Sequence, residues 1–142
     1  MTVSGRLSLV VAVILLALTG GAPTALAQTS GFLALEKLAK AGDPKAMYRL
    51  GARYFNGEGA PKNETEGMRW YVKAAELGEP QAAANVGVGY LLGVHGLPQD
   101  NAQALRWLKI GAEGKAANAG MALSQMYEKG SGVPVDLAEA AR

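Results

Sequence analysis

Small and apolar residues return at helical spacing in three successive stretches of the chain. Ala46, Leu50, Gly51 and Tyr54 lie at i, i+4, i+5 and i+8, which is one face of a helix. The same face recurs 36 residues later as Ala82, Val86, Gly87 and Tyr90, and 37 residues after that as Ala119, Leu123, Ser124 and Tyr127. Self-similarity at that period is the signature of stacked helical units. Behind each tyrosine comes a glycine turn ending in proline. The three are Gly57-Glu58-Gly59-Ala60-Pro61, Gly93-Val94-His95-Gly96-Leu97-Pro98 and Gly130-Ser131-Gly132-Val133-Pro134, and the middle one carries an extra residue. Two residues past each proline sits Asn63, Asp100 or Asp136, followed three positions on by Glu66, Gln103 or Glu139. That is the spacing of a capping box, in which the first side chain accepts from a free helix N–H and the second reaches back to the cap.

Each unit therefore reads as two helices. Helix A runs from about Ala46 to Asn56 and is ended by Gly57 in a left-handed conformation. Helix B runs from about Glu64 to Leu77 and is ended by Gly78. Met68, Tyr71, Ala74 and Ala75 form its buried stripe with Trp70 beside it, and Leu105, Trp107, Leu108 and Ala112 repeat that stripe in the second unit. Pro44 and Pro80 open helices where a missing N–H costs nothing. Gly51, Gly87 and Ser124 are small enough to let the two helices of a pair approach closely. Phe32 to Ala41 reads as an isolated helix B that caps the stack, because Ala39, Gly42 and Asp43 precede Ala75, Gly78 and Glu79 by 36 residues.

The start of the chain follows another pattern. Arg6 is followed by the apolar run Leu7 to Leu18, then by Gly20, Gly21 and Pro23, then by Ala25-Leu26-Ala27. This is the order of a secretory signal, cleaved after Ala27 to leave Gln28 first. Twelve residues at about 1.5 Å rise span about 18 Å, short of a hydrocarbon core of about 30 Å, so no lasting membrane span is expected. The expected localisation is periplasmic or secreted. Removing the first 27 of 142 residues leaves 115, enough for one small domain, and losing Arg6 lowers the formal charge from +2 to +1. With no long basic run, capture of nucleic acid is not expected. With no cysteine, neither a disulfide framework nor thiol lipidation is available.

Candidate chemistry is sparse. His95 is the only histidine and lies in the turn with the extra residue, where a water-facing turn residue is the expected role. One histidine, no cysteine and no acidic cluster argue against a metal site or cofactor. The Gly57-Glu58-Gly59 and Gly130-Ser131-Gly132 segments lack the lysine and the strand–loop–helix setting of a phosphate cradle. Trp70 and Trp107 occupy the same place in successive repeats, which points to inter-helix core over sugar binding. Asn63-Glu64-Thr65 fits a glycosylation sequon, but Asn63 is more simply a cap.

Leu50-Gly51, Tyr54, Gly57-Glu58-Gly59-Ala60-Pro61 and Trp70-Tyr71-Val72-Lys73-Ala74-Ala75 resemble the Sel-one-like repeat family, short relatives of the tetratricopeptide repeat. The likeness runs from about Leu35 to Arg142; the second copy has Leu108 where the family has tyrosine. It implies an all-α fold, a right-handed α-solenoid of stacked antiparallel helix pairs in about two and a half repeats. These would fall at about 46–81, 82–118 and an incomplete 119–142, within a repeat domain 28–142. Some relatives bind or hydrolyse β-lactams, but they are disulfide-rich, and that activity is not carried to a chain without cysteine. The expected function is an exported, non-catalytic adaptor or scaffold of the bacterial cell envelope that binds a protein or peptide in the groove lined by the A helices. Outward positions there vary between copies, which selects Arg49, Arg53, Asn56, Asn85 and Gln125 as partner-binding candidates. A cell-wall enzyme or enzyme subunit using Glu58 or His95 is the alternative. Because Ala138 to Arg142 stops in mid-helix by the repeat register, a remnant of a longer array is a further one.

Overall fold

A computed structural model describes residues 22–132 and 137–141. The apolar run Leu7 to Leu18 of the expected signal, and Val133, Pro134 and Asp136 of the third turn and cap, lie outside the described residues. Among the described residues there are seven helices and no strand: α1 (Ala22–Lys40), α2 (Pro44–Asn56), α3 (Glu64–Glu76), α4 (Pro80–Leu92), α5 (Asn101–Glu113), α6 (Ala117–Lys129) and α7 (Leu137–Ala140). Each packs on the next, and α4 also touches α6. The result is an α-solenoid in which α2, α4 and α6 are the first helices of three pairs, and α3, α5 and the short α7 the second.

The paired glycines decide how closely helices approach. A Cβ on Gly51 of α2 would lie 2.8 Å from the Gly67 carbonyl oxygen of α3, and one on Gly67 would lie 2.9 Å from that of Gly51. The two backbones meet there with only hydrogen between them. The second pair keeps the device in altered form: a Cβ on Gly87 would meet Leu108 at 2.7 Å, and one on Gly111 would meet Ala84 at 3.0 Å. In the third, Ser124 donates its hydroxyl to the Ala140 carbonyl at 2.6 Å, tying α7 to α6. Two clusters of buried side chains follow. One runs from Phe32 on α1 through Leu50, Met68 and Val86 to Trp107, and the other joins Leu108 to Met126.

The turns match their sequence cues at one end and depart at the other. Gly57, Gly93 and Gly130 end α2, α4 and α6 at φ 71, 66 and 64°, conformations open to glycine. Asn63 and Asp100 cap α3 and α5 by accepting from the Glu66 and Gln103 N–H groups, both at 3.0 Å. The reciprocal half of the capping box does not form. The Asn63 and Asp100 N–H groups instead donate to the Tyr54 and Tyr90 carbonyls, both at 2.9 Å, so each cap is stapled to the helix before it. Glu66 is left to Arg69, 3.4 Å away.

Two further expectations are corrected. The first helix begins at Ala22 instead of Phe32 and runs through Ala25-Leu26-Ala27. Thr29 and Ser30 do not interrupt it, because their hydroxyls donate back to the Ala25 and Ala27 carbonyls at 2.9 and 3.1 Å. In α5 the buried stripe is Ala104, Trp107, Leu108 and Gly111, with Leu105 and Ala112 half-buried. Leu108 occupies over Gly87 the place that Tyr71 occupies over Gly51, so the two second helices keep the same register.

Candidate functional site

The first helices of the three pairs line a groove, and its centre is a cavity of about 430 Å³. Phe55 comes from the end of α2, Asn85, Val88 and Leu92 from α4, Val94 and His95 from the inserted turn, and Asn118 from α6, over a floor of Met68 and Tyr71 from α3. Three successive repeats are thus needed to enclose it. Its walls are mostly apolar, and the Asn118 amide donates to Asn85 Oδ1 at 2.9 Å as a polar bridge between α6 and α4.

Tyr71 is rigidly seated. Its ring lies between those of Tyr48 and Phe55, 5.2 Å from each and near-parallel to both. Burial pushes its phenol up to about 12, Tyr48 adds to the rise, and a hydrogen bond with Asn85 opposes it. Phe55 receives the edge of His95 at 5.0 Å and 90°.

His95 does not simply face water. It holds φ 56°, uncommon for a side-chain-bearing residue, with its side chain 30% exposed. Its Nδ1 lies 3.0 Å from Glu64 Oε2. Glu64 also meets Lys62 at 2.8 Å, and that lysine first, then His95, holds its carboxyl below the usual range. The contacts pin the inserted turn against α3 and set one wall of the cavity.

The five sequence-selected residues divide. Asn85 lies in the central cavity. Gln125 lies in an adjoining hollow of about 190 Å³ that shares Leu92 with the cavity and includes Lys129. Arg49, Arg53 and Asn56 form a ridge on α2 beside the cavity. Arg49 is exposed there, Arg53 Nε is 3.5 Å from Glu58 Oε2, and Asn56 donates to Glu58 Oε1 at 3.1 Å. Sequence reasoning passed over Phe55, Val88 and Val94 of the apolar walls. The available signal was register: Val88 and Leu92 are one turn apart on the outward side of α4, where a helix facing only water would carry polar residues.

Glu58 and His95, the candidates for a catalytic role, are held by Arg53 and Asn56 and by Glu64 and Phe55 respectively. Among the described residues no group of three or more His, Cys, Asp or Glu is placed to hold a metal ion. No described helix is long and apolar enough to cross a membrane.

This groove-bearing solenoid defines the class of protein. The Sel1 repeat family model matches residues 44–79, 80–115 and 115–142, and the chain belongs to that family. Sel1 repeats form a scaffold fold that mediates protein–protein interaction, and this chain is such a module. It is similar to the Sel1 repeat protein from Oxalobacter formigenes, with a TM-score of 0.73 and 31% identity over 80% of this chain and 46% of that one. It is also similar to a protective antigen of uropathogenic Escherichia coli displaying an SLR fold, with a TM-score of 0.69 and 39% identity over 77% of this chain and 23% of the other. Chitin synthase regulator SKT5 of Malassezia restricta is 34% identical over 108 residues, 75% of this chain but 8% of that protein. The chain thus spans under a tenth of the length of this curated relative.

Proposed function

We propose that the chain is an exported, non-catalytic adaptor of a bacterial cell envelope that holds a segment of a partner protein in the groove of α2, α4 and α6. The observation that carries this reading is the central cavity, an apolar hollow built by three repeats together and opening beside Leu92, whose side chain is 60% exposed. An exposed leucine at the mouth of an apolar hollow gains by covering, about 25 cal/mol for each Å² removed from water. Identities of 31% and 39% with two bacterial proteins of this fold favour a bacterial setting, and the word regulator in the name of the Malassezia relative favours an adaptor's role.

Export rests on the signal-like first residues and agrees with the packing of α1. From Thr24 onward Phe32 is the first residue of that helix in the core, while Leu26 and Ala27 are exposed. Among the described residues, cleavage after Ala27 would remove none of the core.

A photo-crosslinking residue at Leu92 tests the groove, with one at Leu77, 55% exposed at the end of α3, as control. In cells, an adduct is expected from position 92 and not from 77; equal adducts, or none at 92, would overturn the groove reading. For export, the periplasmic or secreted chain should begin at Gln28 on N-terminal sequencing. Recovery of the intact chain from the cytoplasm alone would refute it.

A further inference from the structure

The charged residues of the array are segregated between its two layers of helices. α2, α4 and α6 carry Lys45, Arg49, Arg53 and Lys129 against a single carboxylate, Glu128. α3 and α5 carry Glu64, Glu66, Glu76 and Glu113 against Arg69, Lys73, Arg106 and Lys109, which cancel. The groove-lining layer is therefore net positive, while α3 and α5 together are neutral.

Register places this charge along the groove. Asn85 and Leu92 line the cavity from α4. Their equivalents 36 residues earlier are Arg49 and Asn56, and those 37 residues later are Ala122 and Lys129. Arg49 thus stands at the groove position one helix before Asn85, and Lys129 at the position one helix after Leu92. Lys129 shares the adjoining hollow with Leu92 and Gln125. Among the described residues neither Arg49 nor Lys129 has an ion-pair partner within 4.0 Å, whereas Glu58 and Glu64 are occupied by Arg53 and by Lys62 and His95. Two cations with unanswered charge therefore flank one apolar hollow.

We propose that the occupant of the groove is an extended acidic segment of a partner protein. One apolar side chain fills the cavity between Phe55, Val88 and Leu92, and carboxylates on either side of it face Arg49 and Lys129. About six extended residues reach about 20 Å, roughly two packed-helix widths, which is the scale on which such a segment crosses the groove. This inference rests on the groove reading given above and adds the chemistry of the ligand to it.

Selection of random dodecapeptides displayed on phage against the full chain distinguishes the two. The expected pool carries Asp and Glu around a central aliphatic or aromatic residue. Its peptides should bind more weakly as salt is raised, and about fivefold more weakly to the Arg49→Glu chain, the upper end for one exposed ion pair. Arg49 is exposed, so that variant keeps its fold, which circular dichroism checks. A pool that is neutral or basic, or that binds Arg49→Glu equally well, overturns the acidic ligand while the groove stands. A pool that binds Leu92→Asp as tightly as the native chain, or no pool at all, removes the groove reading and this inference with it.

Discussion

Replacing Gly51 by alanine is a sharp test of the close helix approach. In a helix interior this change alone favours the folded state by about 1 kcal/mol, because alanine is the better helix former. Here the added Cβ would lie 2.7 Å from two carbons of the Tyr71 ring and 2.8 Å from the Gly67 carbonyl oxygen. The carbonyl belongs to the α3 backbone and yields only if the two helices separate. Nor can the ring swing aside, since Tyr71 is 7% exposed and stacked between Tyr48 and Phe55 at 5.2 Å each. Overpacking a rigid site costs about 1–3 kcal/mol, and the upper end applies when no neighbour is a free side-chain tip. Against the propensity gain, a net loss of about 1–2 kcal/mol is expected. Gly120 on α6 is the internal control, because a Cβ there meets nothing within 4 Å and the residue is exposed. Gly120→Ala should stabilise by about 0.5–1 kcal/mol. Urea unfolding followed by circular dichroism at 222 nm measures both. The two substitutions are chemically identical and should shift the midpoint in opposite directions. If Gly51→Ala is neutral or stabilising, the helices of the first pair do not meet at these glycines.

Three other outcomes follow from the same structure. Asn63→Ala and Asp100→Ala should each cost about 1 kcal/mol, while Glu66→Ala should cost under about 0.5 kcal/mol because the cap N–H it would have served already donates to Tyr54; urea midpoints rank the three. Leu108→Ala, at a fully buried site over Gly87, should lose about 2–5 kcal/mol, and a loss under about 1 kcal/mol would mean that α5 does not seat there. The Tyr71 phenol keeps its proton to about 12 in the fold against 10.0 when unfolded, so between those values only the unfolded chain has released it. Stability should be complete below the lower value and fall by about 1.4 kcal/mol per pH unit as pH rises through the window. Tyr71→Phe should flatten that slope in urea midpoints taken across it.

The repeat period, the left-handed glycines and the caps Asn63 and Asp100 were legible in the sequence because each depends on a few neighbouring residues. Two expectations erred where a local group had a choice of partner. The Asn63 N–H could take the Glu66 carboxylate or the Tyr54 carbonyl, and only the folded approach of α2 to α3 decides for the carbonyl. His95 looked solvated until the turn folded it against Phe55 and Glu64. The cavity was the least legible feature. Phe55, Asn85 and Asn118 come from three repeats, and their convergence is set by the rotation between units, which no local spacing encodes. Internal variation did lead to Asn85 and to the α2 ridge, because substitution between copies marks outward positions. It did not lead to Val88, whose signal lay instead in its apolar character on the outward side of α4.

The staple from each cap to the preceding tyrosine carbonyl has a consequence for engineering. Tyr54 and Asn63 are joined at 2.9 Å across the first turn, and Tyr90 and Asp100 at the same 2.9 Å across a turn one residue longer. The insertion leaves the clasp unchanged, so the cap is held to the preceding helix end at the same distance in turns of either length. That turn therefore accepts an insertion, provided Gly93, Val94 and His95, which end α4 and wall the cavity, are kept. A foreign loop could be spliced there at a closure cost of only about 0.6 kcal/mol per doubling of length, with the clasp left as it was.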